Sequence, residues 1–228
     1  MIFVANYKMN GDKSFYKKVN KIFNKLKVED TIVLCPPFVY MPFFKLKSKN
    51  IHLGAQDVAQ NANKKSTGQL NATMLREFDA KYCVVGHSER REIGETDEIV
   101  ANKVKHCQEQ NIIPIICVGE KTKSAKLEVL VEQVKIALSK AENQEVVFAY
   151  EPVWAIGSGK IPSVNKINKA IKLIKKSATE VGFDVKVLYG GSVNISNHKE
   201  LKTADVDGFL MGGVSLKIDE FIKIVKGE

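Results

Sequence analysis

Polar residues with chemical potential fall in a few tight groups along this chain: Asn6 and Lys8, His87, Glu151, Gly190-Gly191-Ser192 and Gly212-Gly213. Glu151 closes the apolar run Val146-Val147-Phe148-Ala149-Tyr150, so its place alone predicts partial burial, the setting in which a carboxylate becomes a useful base. The tandem glycines let backbone N–H groups approach an anion closely, and a short helix starting there would aim its positive end at a phosphate. Each residue also has an ordinary reading. Lys8 could be a surface lysine, Asn6 a turn residue, His87 a structural histidine bonded to backbone, and the glycines could serve tight turns. Their joint placement is what points to a site.

Something must bring residues nearly the whole chain apart to one place. Short β-branched runs at Ile2–Asn6, Thr31–Cys35, Ile51–Ala55, Tyr82–Gly86, Ile112–Val118, Val146–Tyr150, Val185–Tyr189 and Val206–Met211 read as eight strands. Stretches with helical spacing alternate with them. Phe15, Val19, Ile22, Phe23 and Leu26 share one helical face, as do Leu127, Leu130, Val131, Val134 and Leu138. Val164, Ile167, Ile171, Ile174 and Ala178 repeat the pattern after Ser163, a candidate N-cap. Strands apolar on both faces need cover on both, which a doubly wound sheet or a closed barrel supplies. Eight units in 228 residues favour a single-domain α/β fold, a (β/α)8 barrel spanning 1–228. The polar groups all follow strands at their carboxyl ends, and in a parallel barrel those ends form one rim.

Composition narrows the classes. The net charge is +9, yet the lysines spread over the polar faces of helices, as at Lys17, Lys18, Lys21 and Lys25, with no motif for nucleic acid, so no nucleic-acid partner is expected. No apolar run reaches the roughly 20 residues of a bilayer crossing, and the start lacks a secretory leader pattern; no membrane association and a cytoplasmic location are expected. Cys35, Cys83, Cys107 and Cys117 are widely spaced, predicting buried free thiols and no metal site, with Cys117 lying beside the rim.

Five segments, taken in order, resemble the triosephosphate isomerase family: Asn6-Tyr7-Lys8-Met9-Asn10, Val85 to Arg91, Tyr150 to Gly157, Tyr189 to Val193, and Gly208 to Gly213. The resemblance runs along essentially the whole chain and implies the TIM-barrel fold. It also implies a cofactor-independent interconversion of dihydroxyacetone phosphate and D-glyceraldehyde 3-phosphate. On that basis Glu151 is the base that moves a proton between adjacent carbons, and His87 is the electrophile that polarises the carbonyl and enediolate oxygens. Lys8 neutralises oxyanion charge, and Asn6 orients groups nearby. The family is itself the standard example of a neutral catalytic imidazole at a helix N-terminus, and Ser88-Glu89-Arg90-Arg91 is placed to open such a helix. N–H groups of Gly157, Ser192 and Gly213, with Gly212 beside them, are implied to grip the phosphate, and Pro152 to Lys160 resembles the family's lid. Members of the family pair through a loop after the third strand, here about 61–69 with Thr67 near its tip, which implies a homodimer. There are departures. Tyr7 stands where the family commonly has Trp, and Gln69 stands where a Glu usually follows Thr-Gly, so that Arg90 needs another partner. The chain is also one residue short between Arg91 and Gly94, and lacks an Arg-Glu-containing stretch after Glu120.

Overall fold

In the computed structural model, which describes all residues except 62–64, 143–144 and 158, eight parallel strands close on themselves. They are β1 (Ile2–Asn6), β2 (Thr31–Cys35), β3 (Ile51–Ala55), β4 (Ala80–Val85), β5 (Ile113–Val118), β6 (Val147–Tyr150), β7 (Lys186–Tyr189) and β8 (Gly208–Met211). Each pairs with the next, and β1 pairs with β8 from Ile2 against Gly208 to Ala5 against Met211. That closure needs a glycine: at φ +155°, a Cβ on Gly208 would lie 1.8 Å from the Ile2 carbonyl oxygen.

Helices cover the outside: α1 (Lys13–Phe23), α2 (Ala72–Glu77), α3 (Ser88–Glu92), α4 (Asp97–Gln108), α5 (Val129–Leu138), α6 (Val164–Thr179), α7 (His198–Leu201) and α8 (Ile218–Lys226). They are not distributed one per strand. The β2-to-β3 crossover holds only a 3₁₀ turn, Phe38–Phe43, because Pro42 supplies no N–H and cannot continue an α-helix, while α3 and α4 both follow β4. The Ser163 side chain caps α6, accepting from Lys166 N at 3.3 Å.

The expected strand limits hold within two residues, and the differences have local causes. Gly86 leaves β4 because it turns to φ +67°, and Val206 and Asp207 precede β8, Asp207 N bonding back to the Val187 carbonyl. On α1 the buried face is Tyr16, Val19 and Phe23, with Leu26 beyond the helix end; on α5 Ala137 is buried and Val131 only half so.

Two apolar layers result. Ile2, Val4, Val33, Cys35, Tyr82, Val84, Ile115, Cys117, Val147, Ala149, Leu188 and Leu210 fill the barrel, while the alternate strand residues, such as Phe3, Leu34, Phe148 and Phe209, pack under the helices. Apart from the exposed Lys81 and Lys186 at the amino ends of β4 and β7, the strands are buried on both faces, which explains why they read as apolar runs. β3 contributes glycine at its inward position: a Cβ on Gly54 would come within 2.6 Å of both Cys35 Sγ and Val33 Cγ1. The strands are therefore held rigidly, with their carboxyl ends on one rim.

Candidate active site

Five strand ends bring the expected residues around one cavity of about 270 Å³, lined among others by Asn6, Lys8, His87, Glu151, Gly190 and Gly212. Asn6 ends β1, and its Oδ1 accepts from Lys8 N at 3.0 Å. This tight turn holds Lys8 at φ +50°, a left-handed conformation that costs a lysine on the order of 1 kcal/mol. Gln56, beyond β3, offsets the strain: its Nε2 donates to the Lys8 carbonyl at 2.8 Å and to the Cys35 carbonyl at 2.9 Å. Lys8 Nζ then reaches Glu89 Oε1 at 2.6 Å, its stem running past Gly212, where a Cβ would lie 3.2 Å from Lys8 Cε.

His87 caps α3, and Glu89 N donates to its Nδ1 at 3.2 Å. A nitrogen that accepts carries no proton, so the imidazole is the neutral tautomer with its hydrogen on Nε2. That Nε2 lies 3.2 Å from Glu151 Oε1, and Ser88 N donates to Glu151 Oε2 at 3.0 Å. Both His87 and Glu151 are buried. Two glycines make space for the glutamate: a Cβ on Gly119 would meet its carbonyl oxygen at 1.7 Å, and one on Gly190 its Cγ at 2.8 Å. Cys117, at the end of β5, does not join this chemistry. Burial first, and then the neighbouring Glu151 carboxylate, push its thiol well up, which keeps it protonated and inert.

The far side of the cavity is backbone. Gly190, Gly191 and Ser192 follow β7, and Gly212 and Gly213 follow β8, where a short 3₁₀ turn (Gly213–Leu216) begins. Space beside Gly213 is open, with nothing within 4 Å of an added Cβ. After β7 no helix starts at the glycines; α7 begins only at His198, so that side of the cavity is a loop. Ser192 Oγ is engaged, donating to the Ala155 carbonyl at 2.9 Å. Gly157 and Gly159 complete the lining from the segment 152–160, both at positive φ, while Ser158 lies outside the described residues. At the base of that segment Tyr150 Oη and Trp154 Nε1 both donate to Glu120 Oε1, at 3.1 and 3.0 Å.

Every residue named from sequence for chemistry or anion binding, Asn6, Lys8, His87, Glu151, Gly157, Ser192, Gly212 and Gly213, lines this one cavity. Residues 1–228 match the family model described as Triosephosphate isomerase. The chain belongs to the triosephosphate isomerase family. It is 38% identical to triosephosphate isomerase of Clostridium tetani, covering 98% of this chain and 95% of that one. For the Neurospora crassa protein of the same name the identity is 39%, over 97% and 95%. For that of Dictyoglomus turgidum it is 39%, over 99% and 98%.

Membership of the triosephosphate isomerase family makes the departures informative. Tyr7 is buried away from the cavity, in edge contact with Phe15 and Tyr16 at 5.8 and 5.4 Å between ring centroids, so its replacement of Trp is a packing change. Arg90 finds partners within its own chain, Glu95 at 2.8 Å and Asp57 at 3.1 Å. Part of the Thr67 loop, residues 62–64, lies outside the described residues; Thr67 and Gln69 are exposed. Sequence reasoning missed Gln56 and Glu120. Glu120 follows Gly119 directly after β5, so the same carboxyl-end rule that singled out Glu151 would have found it.

Proposed function

We propose that the triose phosphate interconversion of this family runs here with Glu151 as base, His87 as electrophile and Lys8 as electrostatic stabiliser, and that Asn6 sets the turn that presents Lys8. The reaction moves one proton between adjacent carbons of two isomers, so atoms and electrons balance without a carrier. A proton beside a carbonyl is weakly acidic, and a carboxylate removes it only when the resulting enediolate is met by preorganised donors. The neutral His87 Nε2–H and the Lys8 ammonium supply them. At rest the Glu151 carboxylate accepts from Ser88 N and faces His87 Nε2, so substrate must displace it from the same N–H that it then uses. The observation that carries the reading is this shared His87 Nε2, 3.2 Å from the base and opening on the same cavity as the glycine loops.

The phosphate is held by N–H groups of Gly157, Ser192 and Gly213, with Gly212 leaving room for Lys8. An enediolate phosphate sheds its phosphate when exposed to water, which gives 152–160 its role as a lid closing over the substrate. Two exposed apolar side chains, Val39 (74% exposed) and Ile93 (71%), follow β2 and β4, the strands on either side of β3, on the same rim as Met9. They support a homodimer made through the loop around Thr67. Four buried free thiols support a cytoplasmic setting, where thiols stay reduced.

An assay coupled to glyceraldehyde 3-phosphate tests the assignment. Glu151→Asp withdraws the carboxylate by one methylene and is expected to lower kcat by about a hundredfold or more with the melting temperature unchanged. Turnover equal to the natural chain would remove Glu151 from the role of base.

A further inference from the structure

Glu120 is a buried carboxylate whose surroundings the catalytic reading leaves unexplained. Its side chain is fully buried, and three donors converge on one oxygen: Tyr150 Oη, Trp154 Nε1 and, at 2.8 Å, Lys166 Nζ. The other oxygen, Oε2, has no hydrogen-bond partner among the described residues. A carboxylate taken out of water needs compensation, and Lys166 is the cation paired with this one. The same ammonium lies 5.0 Å from the centroid of the Trp154 ring and donates to the Lys123 carbonyl at 3.4 Å. Trp154 is thus held twice, by its N–H on Glu120 and by its face under Lys166.

The placement along the chain gives this contact a direction. Glu120 follows the end of β5, Trp154 sits at the start of the segment 152–160, and Lys166 is in the first turn of α6, just beyond its end. One side chain therefore joins the element after the lid to the strand end before it.

We propose that Lys166 is a positioning residue for the lid: by pairing with Glu120 while lying over Trp154, it holds the lid base in its resting position. This rests on the reading of 152–160 as the gate over the anion site. A ligand that draws the lid down must compete with these contacts, so weakening them shifts the balance toward closure. Contacts of this kind bias an equilibrium roughly three- to tenfold. Lys166→Met keeps the length of the side chain and removes its charge. The expected result is a Kd for inorganic phosphate lowered about three- to tenfold, KM lowered in parallel, and kcat reduced because product release slows.

The protein contains one tryptophan, so selectively excited tryptophan emission reports the lid base alone. The emission of the ligand-free Lys166→Met chain is expected to move toward that of the phosphate-bound natural chain, and Lys166→Arg to restore both emission and kinetics. Because the effect runs through Glu120, adding Glu120→Gln to Lys166→Met is expected to change little more, a non-additive pair. Unchanged phosphate affinity and emission in Lys166→Met would overturn the proposal. So would weaker phosphate binding with a fall in kcat/KM, the mark of a merely structural lysine. Should Lys166→Met not fold, the comparison of Lys166→Arg and Lys166→Gln decides by the same readouts. Gly157→Pro separates the two ideas: unchanged kinetics in that variant would sink the gate, whereas altered kinetics there with an inert Lys166→Met would sink only the latch.

Discussion

Atomic contacts around Glu151 set how much tolerance the chemistry has. Gly190 has an ordinary backbone, so alanine fits the chain there, but its Cβ would stand 2.8 Å from Glu151 Cγ. Gly190→Ala is expected to displace the carboxylate and lower kcat by about ten- to a hundredfold with little change in melting temperature. A variant with full turnover would show that the carboxylate has room to spare. Lys8 is strained and paired with the exposed Glu89, an arrangement that contributes little to stability. Lys8→Ala is therefore expected to fold normally and lose turnover by about a hundredfold or more, as loss of an oxyanion donor does. Near-normal activity in steady-state assays would move the stabilising role to another group.

Among the elements, α3 and α4 carry the largest electrostatic investment. Arg91 ties α3 to the strand ends, donating to the Gly86 carbonyl at 2.7 Å and to the Cys117 carbonyl at 3.1 Å, and pairs with Asp97 at 2.5 Å. Beside it Lys103 of α4, itself buried, contacts Glu95 and lies 2.5 Å from Asp57, with Arg90 on the other side of both carboxylates. This network keeps His87 in register because it fixes the helix that His87 caps. Lys103→Met would leave two partly buried carboxylates, Asp57 and Glu95, with one cation, a loss of about 3 kcal/mol. Burial already pushes the Asp57 carboxyl above its ordinary range, with Lys103 pulling it back. Without the lysine the folded-state value rises further above the unfolded one, so the folded state gains relative stability as protons are supplied. Urea unfolding should accordingly show a larger deficit at about pH 7 than at about pH 5. An equal deficit at both would assign the loss to packing.

For the whole molecule, the proposed homodimer is tested at the rim. Val39 and Ile93 are too exposed for a core role, and they stand on loops after β2 and β4, neighbours across β3, whose own following loop carries Thr67. Val39→Asp with Ile93→Asp is expected to convert a dimer to a monomer in light scattering, since charges buried in a contact must be desolvated. A variant of unchanged mass would place the interface elsewhere.

The barrel was legible because its signals are local. A strand buried on both faces is apolar at most positions, and Ile2–Asn6 and Thr31–Cys35 are read to the residue. The site was legible for the same reason: residues that follow strands in a parallel barrel share a rim, so Lys8, His87 and Glu151 could be grouped before their contacts were known. The β2-to-β3 crossover was less clear, since its 3₁₀ turn reflects Pro42 acting against apolar residues that could suit a helix. Gln56, Glu120 and Lys166 stayed hidden. Each meets a partner far along the chain, as with Gln56 on Lys8 at a separation of 48 and Trp154 on Glu120 at 34 joined by Lys166, and nothing in local periodicity records such a partner. The amino-acid order by itself determined which residues meet at the rim, through burial pattern and strand direction. Only the closed barrel decided the hydrogen bonds among them: the tautomer of His87, the parked carboxylate of Glu151 and the clamp on Trp154 arise from directional contacts between strands and helices that no single segment contains.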